Sequence, residues 1–247
     1  MRLIRMLSIT LALVPAPTLA GQASIAVAAN FTEPAKAIAV AFKTRSGHEL
    51  SLSFNSSGAF LTQIKQAAPF DVFLSADDER PAALAKGGFA VPSSRFTYAV
   101  GKLALWSRAK DAAPGEAALR AGTFEKLAIA NPVAAPYGAA AVETLKALGL
   151  ADTLKPKIVE GASIAQAFQF AETGNAEFAF VALSQTIGKG GATWLTPQAL
   201  YTPIRQDAVL LKTGEANEAA KAFLDFLKGP EAQAIIERFG YGLHAGG

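Results

Sequence analysis

Cysteine is absent from the 247 residues, and histidine occurs only at His48 and His244. No disulfide can staple the fold, so its core must hold by packing alone. No lipid can be tethered on an N-terminal cysteine, and no Cys/His spacing of a zinc site is present. Charged residues make up only 17% of the chain and the formal net charge is +3. No run of Lys and Arg forms a stripe, which excludes the electrostatic footprint of a nucleic-acid binder. No segment after the first twenty residues reaches the roughly 18 consecutive apolar residues that span a bilayer. The sequence also lacks G-x-S-x-G, G-x-G-x-x-G and a phosphate loop ending in Gly-Lys-Ser/Thr. Gly188-Lys189-Gly190-Gly191 has no strand-to-helix context and reads as a surface loop. Asp77-Asp78-Glu79 reads as a solvated helix start, where acids are favoured, ahead of a cation site.

With 51% apolar residues, the chain has the composition of a globular protein. Its first twenty residues form a separate unit. Met1 to Arg5 is a short basic start, Met6 to Pro17 an apolar stretch too short to cross a membrane, and Thr18-Leu19-Ala20 a small-residue cleavage site. This is the pattern of a secretory leader, so residues 1–20 are expected to be a signal peptide and the mature protein soluble in a bacterial periplasm. Losing Arg2 and Arg5 with the leader leaves 21 of the 23 basic residues against 20 acidic ones, a nearly neutral body.

Strand and helix signals then alternate. Ile25 to Ala28 is short and apolar, and Glu33 to Ser46 carries Ile38, Ala41 and Phe42 on one helical face before the Gly47 stop. Leu50 to Phe54 alternates with the period of a half-buried strand. Further strands are expected at 71–74, 102–107, 126–130, 177–181 and 207–211. Helices are expected after Gly58 and at 79–86, 139–148, 165–172, 218–228 and 230–239. Repeated β–α alternation predicts an α/β fold with mainly parallel sheets. The two closing helices add no strand, so the chain returns to cover an earlier sheet and one domain is discontinuous. The expected lobes are 21–101 plus 205–247, and 102–204.

Four short polar stretches stand where a strand hands over to a helix: Ala29-Asn30-Phe31-Thr32, Ser56-Ser57-Gly58, Pro136-Tyr137-Gly138 and Ala162-Ser163-Ile164. A helix start has unpaired N–H groups and the positive end of the helix dipole, so it suits an anion without help from Lys or Arg. Each stretch also has a plainer reading. Asn30 or Thr32, Ser56 or Ser57, and Ser163 serve as N-caps, and Tyr137 packs as a loop aromatic with a wet tip. In the functional reading the Asn30 amide and the Tyr137 hydroxyl point at an oxyanion, Gly58 lets backbone approach it, and Ile164 offers only its N–H.

Three segments carry a resemblance. Val27-Ala28-Ala29-Asn30-Phe31-Thr32, Phe54-Asn55-Ser56-Ser57-Gly58 and Pro69-Phe70-Asp71-Val72-Phe73-Leu74-Ser75-Ala76-Asp77 are similar to the periplasmic molybdate-binding proteins of ABC transporters. Tyr201 to Val209 and Phe226-Leu227-Lys228-Gly229-Pro230 extend the match over nearly the whole mature chain. The resemblance implies a two-lobed periplasmic binding protein fold of type II, with the ligand in the interlobe cleft. It implies oxyanion-binding positions at Asn30, Ser57, Tyr137 and Ile164, with Ala29 added in one branch. Molybdenum would be held only as molybdate, by those residues, with no cofactor. Some members use a tyrosine where this chain has Ala182, and Asn30 and Tyr137 are expected to replace that donor. The implied partners are a small oxyanion and an ABC permease in the inner membrane, the implied state a monomer, and the implied role capture rather than catalysis.

The chemistry agrees with that implication. Molybdate at neutral pH is a proton-free dianion whose oxygens only accept, and the four stretches supply N–H and O–H donors. Hydrogen phosphate carries a proton and calls for an acceptor. Tungstate matches molybdate in charge and size. Sulfate differs only in size, so a binder of sulfate or another tetrahedral oxyanion remains the alternative, followed by an exported enzyme or a receptor-coupled sensor on the same scaffold.

Overall fold

The computed structural model describes residues 20–243. The leader expected over 1–20 lies outside them except for Ala20, as does His244. The chain runs β1 (Gln22–Ala28), α1 (Thr32–Ser46), β2 (Glu49–Asn55), α2 (Ser57–Lys65), β3 (Val72–Leu74), α3 (Glu79–Lys86) and β4 (Phe96–Gly101). It then crosses into β5 (Leu103–Ser107), α4 (Glu116–Ala121), β6 (Leu127–Ala130), α5 (Pro136–Ala147), α6 (Ala151–Leu154), β7 (Ile158–Gly161), α7 (Ile164–Glu172), β8 (Phe178–Ala182), α8 (Leu183–Thr186) and β9 (Ala192–Leu195). It returns through β10 (Ile204–Leu210) to α9 (Glu218–Lys228) and α10 (Pro230–Arg238).

Two five-stranded sheets result, in the orders β2-β1-β3-β10-β4 and β7-β6-β8-β5-β9. Their plans correspond. In the first, β1 lies parallel to β2 and β3, and β10 runs antiparallel to β3 and β4. In the second, β6 lies parallel to β7 and β8, and β5 runs antiparallel to β8 and β9. The antiparallel strand of each sheet is the one that has just arrived from the other lobe. The fold is therefore α/β with two lobes, joined at Gly101–Lys102 and by the segment between β9 and β10.

Each lobe closes over its own core. In the first, α1 buries Ala35, Ile38 and Phe42 at helical spacing against the sheet, and Gly47 ends it at φ 76° in the left-handed region. The strongly amphipathic α9 lays Ala220, Phe223 and Leu227 over the same sheet. In the second, Leu105, Ile129, Phe180 and Leu145 pack between the sheet and α5 and α7. Among the described residues no helix is long and apolar enough to cross a membrane.

Some elements differ from the sequence reading. Helix α5 begins three residues before the expected Ala139, because Pro136 fills the first helical position with its preset φ. Helix α2 likewise starts at Ser57 rather than after Gly58. Strands β4, β7 and β9 were not anticipated. They lie at sheet edges and are four to six residues long, and β7 and β9 bury one residue between them, so neither period stands out.

Phe42 is fully buried, with its ring centroid 5.6 Å from Phe223 and 5.5 Å from Phe226, and thus fastens α1 to α9. Phe42→Ala is expected to lower unfolding stability by about 3–5 kcal/mol, read as an earlier midpoint in urea denaturation.

Candidate functional site

In an open α/β sheet the ligand crevice lies beyond the carboxyl ends of the parallel strands. Here the chain leaves β1 into Ala29-Asn30, β2 into Ser56-Ser57, β6 towards Pro136-Tyr137, and β7 into Ser163-Ile164. These are the two corresponding strands of each lobe. All four segments meet at one cavity between the lobes, lined by Ala28, Ala29, Asn30, Ser56, Ser57, Ala76, Ala135, Pro136, Tyr137 and Ile164. The five residues singled out in the sequence, Ala29, Asn30, Ser57, Tyr137 and Ile164, are thus brought together, and all are buried. Not one lining residue is charged. The space is small.

The donors come from the starts of helical turns. Ser57 and Ile164 occupy the first positions of α2 and α7, Tyr137 the second of α5, and Asn30 the middle of a 3-10 turn leading into α1. N–H groups at such positions have no carbonyl within their own helix to bond. The serines beside them divide the work. Ser56 and Ser163 are N-caps, accepting from Ala59 N–H and Gln166 N–H. Ser57 Oγ accepts from Ala76 N–H at 2.9 Å, which leaves its own proton to donate. Thr32 does not cap α1; its hydroxyl donates to the Ala29 carbonyl at 2.8 Å.

Two side chains depart from the sequence reading. The Asn30 amide does not aim into the cavity. Its Nδ2 donates to Gln206 Oε1 at 2.8 Å and to Tyr241 OH at 3.1 Å, so both of its protons are committed. The Tyr137 hydroxyl accepts from Gln206 Nε2 at 3.1 Å and rests against Gly101, where a Cβ would stand 2.1 Å from it. Both side-chain groups are bonded to residues outside the lining, which leaves the backbone N–H as the donor each residue has for a guest. Ala182 is not among the lining residues, and its N–H is taken by Gln185 Oε1 at 2.9 Å.

Below the cavity lies a buried, uncharged network that sequence reasoning missed. Tyr98 OH reaches Gln206 Oε1 and the Ser75 carbonyl, each at 3.1 Å. Tyr241 OH and Ser184 Oγ lie 2.8 and 2.9 Å from the Asn30 carbonyl and 2.9 Å from each other, so their two protons are shared among three contacts. One signal was legible: in β10, Gln206 shares the buried phase with Ile204, Ala208 and Leu210, and a fully buried amide must be hydrogen-bonded.

The lobes touch across the cleft. Gly58 N–H donates to the Ala134 carbonyl at 2.9 Å, and Arg80 Nη2 to the Val133 carbonyl at 2.6 Å, while Arg80 also pairs with Asp77. A wider groove of about 800 Å³ lies beside this seam. It carries Asp77, Asp78, Glu79 and Glu143 against Arg80 and Arg205, and those carboxylates make it a poor seat for an anion. Among the described residues no group of His, Asp and Glu is arranged to hold a metal ion.

Two lobes, two crossovers and a small cleft cavity ringed by helix starts define a solute-binding protein of the two-lobed class. The family model for bacterial extracellular solute-binding proteins matches residues 23–242. The chain is 56% identical over 226 residues to the molybdate-binding protein ModA of Rhodobacter capsulatus, covering 91% of this chain and 90% of that protein. It is 54% identical over 233 residues to ModA of Azotobacter vinelandii, covering 91% of each. Its fold superposes on a periplasmic molybdate-binding protein of Azotobacter vinelandii with a TM-score of 0.87 and 39% identity, covering 90% of this chain and all of that one. The chain belongs to the ModA family of molybdate-binding proteins.

Burial, more than any other cause, pushes the Tyr98 and Tyr137 hydroxyls well above the ordinary tyrosine range and Tyr241 up to about 12. These phenols are neutral in the folded protein up to pH values at which an unfolded chain has already ionised. Their contribution to stability is therefore whole below pH 10 and is lost as pH rises towards 12, at about 1.4 kcal/mol per pH unit for each group. Thermal melts are expected to show a flat midpoint from pH 7 to 9 and a steep fall above 10.

Proposed function

We propose that this protein captures molybdate, and also tungstate, in the periplasm and delivers it to an ABC permease of the inner membrane. The observation that carries this reading is a cavity lined by donors with no carboxylate and no cation. A fully deprotonated tetrahedral dianion offers only acceptors, so the N–H groups of Asn30, Ser57, Tyr137 and Ile164 and the Ser57 hydroxyl match it without leaving a buried acceptor facing a negative charge. Charge-assisted hydrogen bonds of this kind contribute roughly 1.5–3 kcal/mol each. Neutral donors also avoid the desolvation of a lysine or arginine.

Function then follows from closure. Asn30 and Ser57 stand on one lobe and Tyr137 and Ile164 on the other, so a guest that bonds all four stabilises the closed arrangement by its differential affinity. The permease reads the closed shape. The role is carriage, not catalysis, and no cofactor takes part; the protein acts as a monomer. Export through the leader at 1–20 places it in the periplasm.

Calorimetric titration tests the reading directly. Molybdate and tungstate are expected to bind tightly, with sulfate and phosphate at least about 100-fold weaker, a gap of about 2.7 kcal/mol. Sulfate affinity equal to that of molybdate would overturn the assignment. Ser57→Ala removes one donor at the anion and strands the Ala76 N–H; it is expected to weaken molybdate by roughly 10–100-fold with the fold intact.

A further inference from the structure

The network beneath the cavity is ordered by donor arithmetic, and Gln206 stands at its centre. Tyr241 has one hydroxyl proton, which goes to the Asn30 carbonyl or to Ser184 Oγ; towards Asn30 Nδ2, which carries only protons, its oxygen can only accept. That fixes which way the Asn30 amide faces. Gln206 must then present Oε1 to Asn30, because turning its amide over would set two NH₂ groups against each other. With Oε1 held by Asn30 and Tyr98, Nε2 is left facing Tyr137, whose hydroxyl accepts. The two amides thus have one consistent orientation, and no member of the network is charged.

The same bonds join the lobes. Gln206 lies on β10, the strand returning from the second lobe, and is fully buried. Asn30 belongs to the first lobe and Tyr137 to the second, and both line the cavity. Ser184, in the short helix α8 of the second lobe, lies within hydrogen-bond distance of the Asn30 carbonyl and Tyr241 OH. Opening the cleft separates Tyr137 from Gln206 and Ser184 from Asn30. Gly101 leaves the room in which the Tyr137 hydroxyl seats.

We propose that Gln206 is a positioning residue that couples guest binding to lobe closure, by holding Asn30 and Tyr137 from opposite lobes on the two ends of one amide. This rests on the reading of the cavity as the oxyanion site. Gln206 touches no guest; it sets the peptides whose N–H groups do.

Gln206→Glu keeps the shape and removes the donor. An ionised carboxyl there accepts from Asn30 and Tyr98, cannot donate to Tyr137, and places a negative charge below the dianion. The other titratable groups facing it are the phenols of Tyr98, Tyr137 and Tyr241, which stay neutral. The neighbouring Asp207 is paired with Arg95 at 2.8 Å. Molybdate and tungstate titrations of the wild type, Gln206→Glu and Ser184→Ala at pH 8.5 and pH 6 decide the matter. At pH 8.5 Gln206→Glu is expected to bind on the order of 100-fold more weakly than the wild type. At pH 6 that ratio shrinks several-fold as the carboxyl takes up a proton and can donate again. Ser184→Ala, which leaves the cavity lining untouched, is expected to weaken binding about tenfold at both pH values, mainly through faster release.

A wild type that binds neither anion would sink the reading of the cavity. A wild type that binds while Gln206→Glu, folded by circular dichroism, matches it at both pH values would sink the coupling role alone. A constant, pH-independent loss in Gln206→Glu would mark a packing defect and likewise overturn the proposal. Should Gln206→Glu fail to fold, unchanged affinity in Ser184→Ala overturns it.

Discussion

Backbone N–H groups at a helix start have no partner inside their helix, and the two lobes turn such groups on one small cavity. The rest of the architecture serves that convergence. In two sheets of corresponding order the edge strand and its parallel neighbour, β2 and β1 or β7 and β6, lead towards the cavity, so each lobe presents a matching pair of helix starts. The crossovers then swing one pair onto the other. A single lobe would offer a weak and open anion site; two lobes enclose it.

Beneath the cavity the same economy of charge holds. Asn30, Tyr98, Tyr137, Ser184, Gln206 and Tyr241 satisfy one another without an ion. A buried cation would attract the guest, yet it would also have to be desolvated, and it would hold any small anion of the right charge. Neutral donors of fixed position are more selective, because their strength depends on whether each oxygen reaches them. Selectivity among tetrahedral dianions then becomes a matter of rigidity, which the network supplies from below and the Gly58–Ala134 seam from the side.

Much of this was legible before any coordinates. The strand-to-helix handovers at Asn30, Ser57, Tyr137 and Ile164 stood out because each combines a turn signal, an N-terminal helix signal and the lack of a charge. The buried faces of α1 and α9 were legible as helical spacing of Ile38 and Phe42, and of Phe223 and Leu227. Short edge strands such as β7 were not, since four residues hold too little pattern to reveal a period. Nor did the sequence disclose which atom of a site residue faces the cavity. Asn30 and Tyr137 turn their side chains away, because Gln206 and Tyr241, 176 and 211 positions along from Asn30, claim them. Contacts over such separations are set by topology, and local propensity carries no trace of them.

The absence of any titrating group around the cavity bears on how the molecule changes state. Every phenol beneath it stays protonated across physiological pH, and the lining residues carry amides and hydroxyls but no carboxylate, imidazole or amine. With a dianion enclosed, no proton enters or leaves the protein. The heat released on loading is then the same in buffers of different ionisation enthalpy, and electrophoretic mobility shifts by the full charge of the cargo, uncompensated.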